Sequence, residues 1–173
     1  MILVLSTTNR PSSLSQVIAE YYCNYLKSKA ISTQLLKLTD LPADFTKTAL
    51  YAYKGKNEIF NQLIQPLQIA KKIVCIVPEY NGSFPGVLKA FIDGLDRSIF
   101  THKKCALVGV SKGHQGAIIA LSHLTDIFHY LGMAVYPLQP KLSKVASPTL
   151  AAVKAHQHYL TKLEAQADGF INF

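Results

Sequence analysis

The sequence predicts an α/β protein built on a parallel sheet. Three observations predict it. Short apolar runs recur along the chain, stretches with helical apolar spacing alternate with them, and turn residues separate the two patterns. Strands that alternate with helices are joined in parallel by right-handed crossovers, which lay helices on both faces of the sheet. The length supports one domain over residues 1–173. With 49% hydrophobic and 16% charged residues the composition is globular. A chain of this size buries about 70% of the surface its unfolded form exposes.

Ile2–Ser6 (ILVLS) is rich in branched side chains and reads as a buried first strand. Ser13–Lys29 follows, with apolar residues at 14, 17, 18, 21, 22, 25 and 26 and a serine at its start, which predicts a capped helix. Thr33–Leu38 alternates weakly and reads as a second strand, broken at Leu41-Pro42. Residues 43–56 are irregular. Asn57–Ala70 has Ile59, Phe60, Leu63, Ile64 and Leu67 along one side and reads as a helix. Lys72–Val77 is a third strand ended by Pro78. Phe84–Arg97 is a helix with Pro85 in its first turn, where a missing N–H costs nothing. Cys105–Val110 is a fourth strand, and Gly116–Leu131 a helix closed by Gly132. Ala134–Leu138 is a fifth strand, and Pro148–Ala167 a last helix. Five strands in this length fit a three-layer α/β/α sandwich of order 2-1-3-4-5. Its ligands bind beyond the carboxyl ends of the strands, near the first and third.

Several function classes fall away on composition. No apolar run approaches the roughly 20 residues that span a bilayer, and the start MILVLSTTNR lacks the basic region of a signal peptide. Cys23, Cys75 and Cys105 are three cysteines without CxxC spacing, so neither a disulfide framework nor a metal site is expected, and a reducing cytoplasm is. His123, Asp126 and His129 recur every third residue, and the two histidines lie about 120° apart around a helix axis, too far for a metal pair. The net charge is +8, unevenly spread: residues 97–163 hold eight bases and one acid. That field suits anionic ligands. Only two arginines and no long basic run argue against a nucleic-acid partner.

The three strand ends that matter are rich in polar groups. After the first strand, STTNRPSSLS leads hydroxyls and Arg10 into a helix start, whose free N–H groups attract anions. Neither GxxxxGK[ST] nor GxGxxG occurs, which excludes an ATP-type phosphate loop and argues against a dinucleotide fold. After the third strand, PEYNGSFPG crowds turn formers around Asn81-Gly82, a pair that permits positive φ and leaves N–H groups for a planar polar ligand. After the fourth, GVSKGHQG carries three glycines that let a backbone approach a ligand. Lys112 brings a cation of the basic stretch 97–163 into that loop.

Taken together these segments resemble the NADPH-dependent FMN reductase family, a flavodoxin-like group that includes chromate, quinone and azo reductases. PEYNGSFPGVLK is similar to that family's PEYNGS-x-PG-x-LK at every defined position. The first loop is similar to GS-x-R-x-x-S-x-N, with Thr7 and Ser15 departing, and the third to S-x-G-x-x-GG, with Ala117 departing. The resemblance implies a cytoplasmic flavoprotein, a homodimer or homotetramer, that passes hydride from NADPH or NADH through FMN to a small-molecule electron acceptor. It implies that Thr8, Arg10, Ser13 and Ser15 hold the FMN phosphate. Pro78, Glu79, Tyr80, Asn81 and Gly82 would line the ring edge, and Ser111 and Gly113 would pack on its other side. No side chain is assigned as a catalytic acid or base.

Two other readings use the same residues. A flavin-binding electron carrier is one, although its usual acidic surface is missing. The other is a serine hydrolase, because Gly109-Val110-Ser111-Lys112-Gly113 matches G-x-S-x-G and Asp126, His156 and His158 follow in triad order. Gly169, far from the three strand ends, is expected to tolerate valine.

Overall fold

The computed structural model describes residues 1–145 and 147–173. Strands β1 (Ile2–Ser6), β2 (Thr33–Lys37), β3 (Lys72–Pro78) and β4 (Lys104–Ser111) form the body of a parallel sheet. With a short β5 (Ala134–Val135) its central order is β2-β1-β3-β4-β5, as the alternation predicts. The interior strands read as continuous apolar runs because both faces are covered.

The pleat sends alternate residues to two cores. Leu3, Leu5, Cys75 and Leu107 pack with Phe60, Phe91, Leu121 and Phe128 from α3 (Glu58–Ile69), α4 (Gly86–Asp93) and α5 (Ile118–Tyr130). Val4, Val74, Ile76 and Val108 pack on the other face with Ile18, Tyr22 and Leu26 of α1 (Leu14–Ser28) and Leu163 and Phe170 of the C-terminal helix. Each fully buried side chain of this size contributes roughly 1.5–3 kcal/mol. The three cysteines are free and buried, and burial pushes the Cys23 thiol up to about 11.

Ser13 caps α1 and Asn57 caps α3 through their side-chain oxygens, and Gly132 takes φ +81 just past α5. The irregular segment 43–56 holds one turn of α2 (Phe45–Thr48) and a short 3-10 turn at Tyr51–Tyr53. Pro85 is the N-cap of α4 with extended ψ of 137°, not a first-turn residue, so the helix starts two residues later than expected; it also ends earlier, at Asp93, and Arg97 opens a short 3-10 turn. The last helix is two: α6 (Leu150–Lys154) and α7 (Gln157–Asn172), broken at Ala155-His156.

The largest departure is at the fifth strand. Ala134–Leu138 is not one strand: β5 is only Ala134–Val135, and β6 (Lys141–Ser143) resumes pairing with β4 further along. Pro137 and Pro140 lack the N–H that a continuous ladder needs. Tyr136 N–H still donates to the Cys105 carbonyl at 2.7 Å and Gly109 N–H to the Pro140 carbonyl at 2.8 Å. Gln166 of α7 bridges the gap between them. Its Nε2 donates to the carbonyls of Leu107 at 2.9 Å and Leu138 at 2.7 Å, while its Oε1 accepts from the Tyr22 hydroxyl at 3.1 Å. The side chain is wholly buried and fully partnered, as a buried amide must be.

Some of the basic excess is structural. Lys103 donates to the carbonyls of Leu67, Gln68 and Ala70 at the end of α3, and Lys72 to those of Phe170 and Ile171 at the end of α7. Cations belong at helix C-termini, where carbonyls lack intrahelical partners.

Gly169 is not a neutral position. A Cβ there would lie 2.0 Å from the Tyr136 hydroxyl, which packs over α7 beside Phe170 and Phe173. Gly169→Val should therefore cost about 1–3 kcal/mol of overpacking. Gln166→Leu should cost about 3 kcal/mol, because two buried polar groups, the Leu107 carbonyl and the Tyr22 hydroxyl, and the part-buried Leu138 carbonyl lose their partner. Urea unfolding followed by circular dichroism measures both. A loss under about 0.5 kcal/mol for Gln166→Leu, the size of an ordinary surface change, would remove the amide from its bridging role.

Candidate functional site

Register sets the site. Ser6 stands opposite Ile76 and Pro78 opposite Val110, so β1, β3 and β4 end close together at their carboxyl ends. The three loops that follow line one cavity of about 590 Å³. Thr8, Arg10, Ser13 and Ser15 reach it from the first loop, Pro78, Glu79, Tyr80 and Asn81 from the second, and Ser111, Lys112 and Gly113 from the third. Gly82 is the next residue of the second turn and stands just outside the lining.

The first loop is tied down at its base, where the Thr7 N–H and hydroxyl both donate to the Ile76 carbonyl, at 3.3 and 2.8 Å. Ser13 then caps α1 by accepting from Gln16 N–H at 3.2 Å. The N–H groups of Leu14 and Ser15 in the first turn have no protein acceptor among the described residues. Free N–H groups at a helix N-terminus attract anions. Arg10 is exposed and forms no ion pair among the described residues. Together with Lys112 it sets two cations at the cavity against one carboxylate, Glu79.

The second loop is a tight turn. Tyr80 N–H donates to the Ser83 carbonyl at 2.7 Å and Ser83 N–H to that of Tyr80 at 3.0 Å. The central residues Asn81 and Gly82 take φ of +51° and +77°, as a type I′ turn requires. Their own N–H groups have no protein acceptor among the described residues. A Cβ on Gly82 would touch nothing within 4 Å, so glycine is needed there for its φ and not for space.

In the third loop Ser111 Oγ accepts from Gly113 N–H at 2.9 Å. No histidine bonds Ser111 among the described residues. His123 bonds Ser83 instead, and His156 and His158 lie against Tyr159 with tilted rings, so a Ser-His-Asp arrangement does not form. Two of the glycines serve packing rather than a ligand. A Cβ on Gly109 would lie 2.3 Å from the Gly116 carbonyl, and one on Gly116 would lie 2.6 Å from the Lys141 side chain. Only Gly113 lines the cavity.

Sequence reasoning missed one wall. Val145, Ser147 and Pro148 close the cavity from the segment between β6 and α6. The signal available was the short run Lys141–Ser143 followed by Pro148, which a single fifth strand at 134–138 left as an unassigned loop. Ser12 and Leu14 also line the cavity, between residues already singled out.

Known proteins are similar to this chain in sequence and in fold. A 2-hydroxy-1,4-benzoquinone reductase of a Burkholderia species is 35% identical over 82 residues, 45% of each chain, so the match spans a little under half of that relative. An FMN-dependent NADPH-azoreductase of Staphylococcus aureus is 28% identical over 140 residues, 77% of this chain and 72% of its own. In three dimensions, an apo NADH:FMN oxidoreductase superposes with a TM-score of 0.80 over 98% of this chain and 87% of its own, at 18% identity, a likeness of fold. Residues 1–146 match the family described as NADPH-dependent FMN reductase, and that stretch includes all three cavity loops. The chain therefore belongs to the NADPH-dependent FMN reductase family.

Proposed function

We propose that this chain binds FMN in the cavity at the strand ends and uses it to carry electrons from NADPH or NADH to a small acceptor such as a flavin, a quinone or an azo compound. The observation that carries this reading is the joining of two unlike subsites in one cavity. An anion-binding helix start lies at one strand end, and a turn with free N–H groups lies at its neighbour. The donor set fits the group. A phosphate monoester accepts only, and the first loop offers Arg10, the Ser12 and Ser15 hydroxyls and the first-turn N–H groups of α1. Ser13 has its oxygen engaged as a cap acceptor and keeps its hydroxyl hydrogen to donate.

The residues then divide by chemistry. Arg10, Thr8, Ser13 and Ser15 hold the phosphate. Asn81 and Gly82 present their free backbone N–H groups to the polar edge of the ring, Pro78, Glu79 and Tyr80 line that edge, and Ser111 and Gly113 close on it from the neighbouring strand. Bound FMN accepts hydride from reduced nicotinamide and passes the electrons on, and the protein supplies orientation and electrostatics. Lys112, at the cavity mouth, attracts the nicotinamide cofactor's phosphates. Exposed Ile118, Ile119 and Tyr130 on α5 support self-association as a homodimer or homotetramer. Residues 1–173 act as one unit. No helix is long and apolar enough to cross a membrane among the described residues, and the free, buried cysteines support a reducing compartment such as the cytoplasm.

FMN should bind roughly ten- to hundredfold more tightly than riboflavin, the worth of a charge-assisted hydrogen bond to phosphate. Arg10→Ala should erase most of that difference in a flavin-fluorescence titration. Equal affinity of the unaltered protein for both flavins would refute the phosphate assignment. Gly82→Val forces a branched side chain to φ near +77°, a strain of about 1–3 kcal/mol. It should leave helical circular dichroism intact while weakening FMN binding and NAD(P)H oxidation. Unaltered FMN affinity in that variant would put the ring elsewhere.

A further inference from the structure

Thr8 and Tyr80 lie 72 residues apart in sequence, on the two loops that carry the two subsites, and their hydroxyl oxygens are 2.8 Å apart. This is the one side-chain hydrogen bond joining the first loop to the second among the described residues. Thr8 is wholly buried, and its oxygen also accepts the Arg10 N–H at 3.2 Å. A threonine hydroxyl has one hydrogen and two lone pairs. One lone pair is taken by Arg10 N–H, so two arrangements remain. Either Thr8 donates to Tyr80 and has no hydrogen left for a ligand, or Tyr80 donates to Thr8 and leaves the Thr8 hydrogen free.

We propose that Tyr80 is the positioning residue of the phosphate loop: its hydroxyl donates to Thr8 Oγ1, which commits both Thr8 lone pairs and turns the Thr8 hydrogen outward as a donor to the ligand's phosphate. The inference rests on the FMN reading of the cavity. A phosphate offers only acceptors, so it selects the arrangement in which Thr8 donates outward. A chain of hydroxyls in which each donates to the next polarises along its length and strengthens its terminal donor.

The same bond fixes the spacing between the subsites. Tyr80 is a corner residue of the Asn81-Gly82 turn, closed by its two backbone bonds to Ser83. The opposite corner is held as well, because Ser83 Oγ and His123 Nδ1 on α5 are 3.0 Å apart. The turn is thus anchored on one side to the phosphate loop and on the other to a helix. Arg10 follows Thr8 by two residues, and its backbone N–H is one of Thr8's partners. Loss of the Tyr80 hydroxyl therefore loosens the Arg10 backbone together with the Thr8 donor.

The test is a double-mutant cycle on flavin affinity, with the apo-protein titrated by FMN and by riboflavin. Tyr80→Phe keeps the ring and removes the hydroxyl; it should weaken FMN by about fivefold and riboflavin by less than twofold, the effect of one hydrogen bond felt only through the phosphate. Thr8→Val should weaken FMN by at least as much, and Thr8→Ser, which restores the hydroxyl, should recover most of it. The double variant Tyr80→Phe/Thr8→Val should bind FMN no worse than Thr8→Val alone, because the two hydroxyls act as one unit. Losses that multiply would overturn the proposal, as would equal weakening of FMN and riboflavin by Tyr80→Phe; both results leave FMN in the cavity. Failure of the unaltered protein to prefer FMN over riboflavin would instead remove the reading on which the proposal stands, and the proposal with it. Thermal unfolding of each apo-variant gives the second readout: midpoints within about 4 °C, the shift produced by roughly 1 kcal/mol or less, assign the affinity changes to the site rather than to the fold.

Discussion

The register of three neighbouring parallel strands is the constraint on which the rest depends. Because Ser6 pairs with Ile76 and Pro78 with Val110, three loops start close together and face the same space. A one-residue slip in β3 would turn its apolar side chains to the wrong faces and reverse the aim of the loop that follows. The two cores make such a slip costly, since Ile73, Cys75 and Val77 belong to one and Val74 and Ile76 to the other. The stability of the sheet and the geometry of the cavity are therefore one property.

The interrupted fifth strand shows how the fold spends polar groups to shape that cavity. A continuous strand would have carried the chain straight along β4. Two prolines release it between Val135 and Lys141, and it returns in time for Ser143 to pair with Ser111 at the cavity rim. The backbone carbonyls left over are taken by Gln166, so the interruption leaves no buried side-chain polar atom unpartnered among the described residues. Val145, Ser147 and Pro148 then reach the cavity as its fourth wall.

Elements with a strong local signal were legible in the sequence. β1 ends where its apolar run ends, Ser13 and Asn57 cap the helices they precede, and Asn81-Gly82 has the positive φ its residue types announce. Ten of the eleven residues that the family resemblance assigns to the cofactor line the cavity, at the three strand ends to which strand order and turn residues also point. Partners distant in sequence were not legible. Gln166 looks like a surface residue of a polar helix until Leu107 and Leu138 stand beside it. Gly109, Gly116 and Gly169 each face another part of the chain, and only the packed structure separates a glycine that admits a ligand from one that admits Lys141 or Tyr136. The triad-like order of Ser111, Asp126, His156 and His158 was misleading for the same reason: order along the chain says nothing of distance.

Loops at three strand ends make this chain a flavin-dependent reductase and not only a flavin carrier. An anaerobic spectrum tests it most directly: one equivalent of FMN is added to the protein, then NADPH or NADH, then a quinone. The blue flavin absorption should bleach on adding the nicotinamide and return on adding the quinone, each faster than with free FMN. Flavin that binds yet stays oxidised with both nicotinamide cofactors would contradict it.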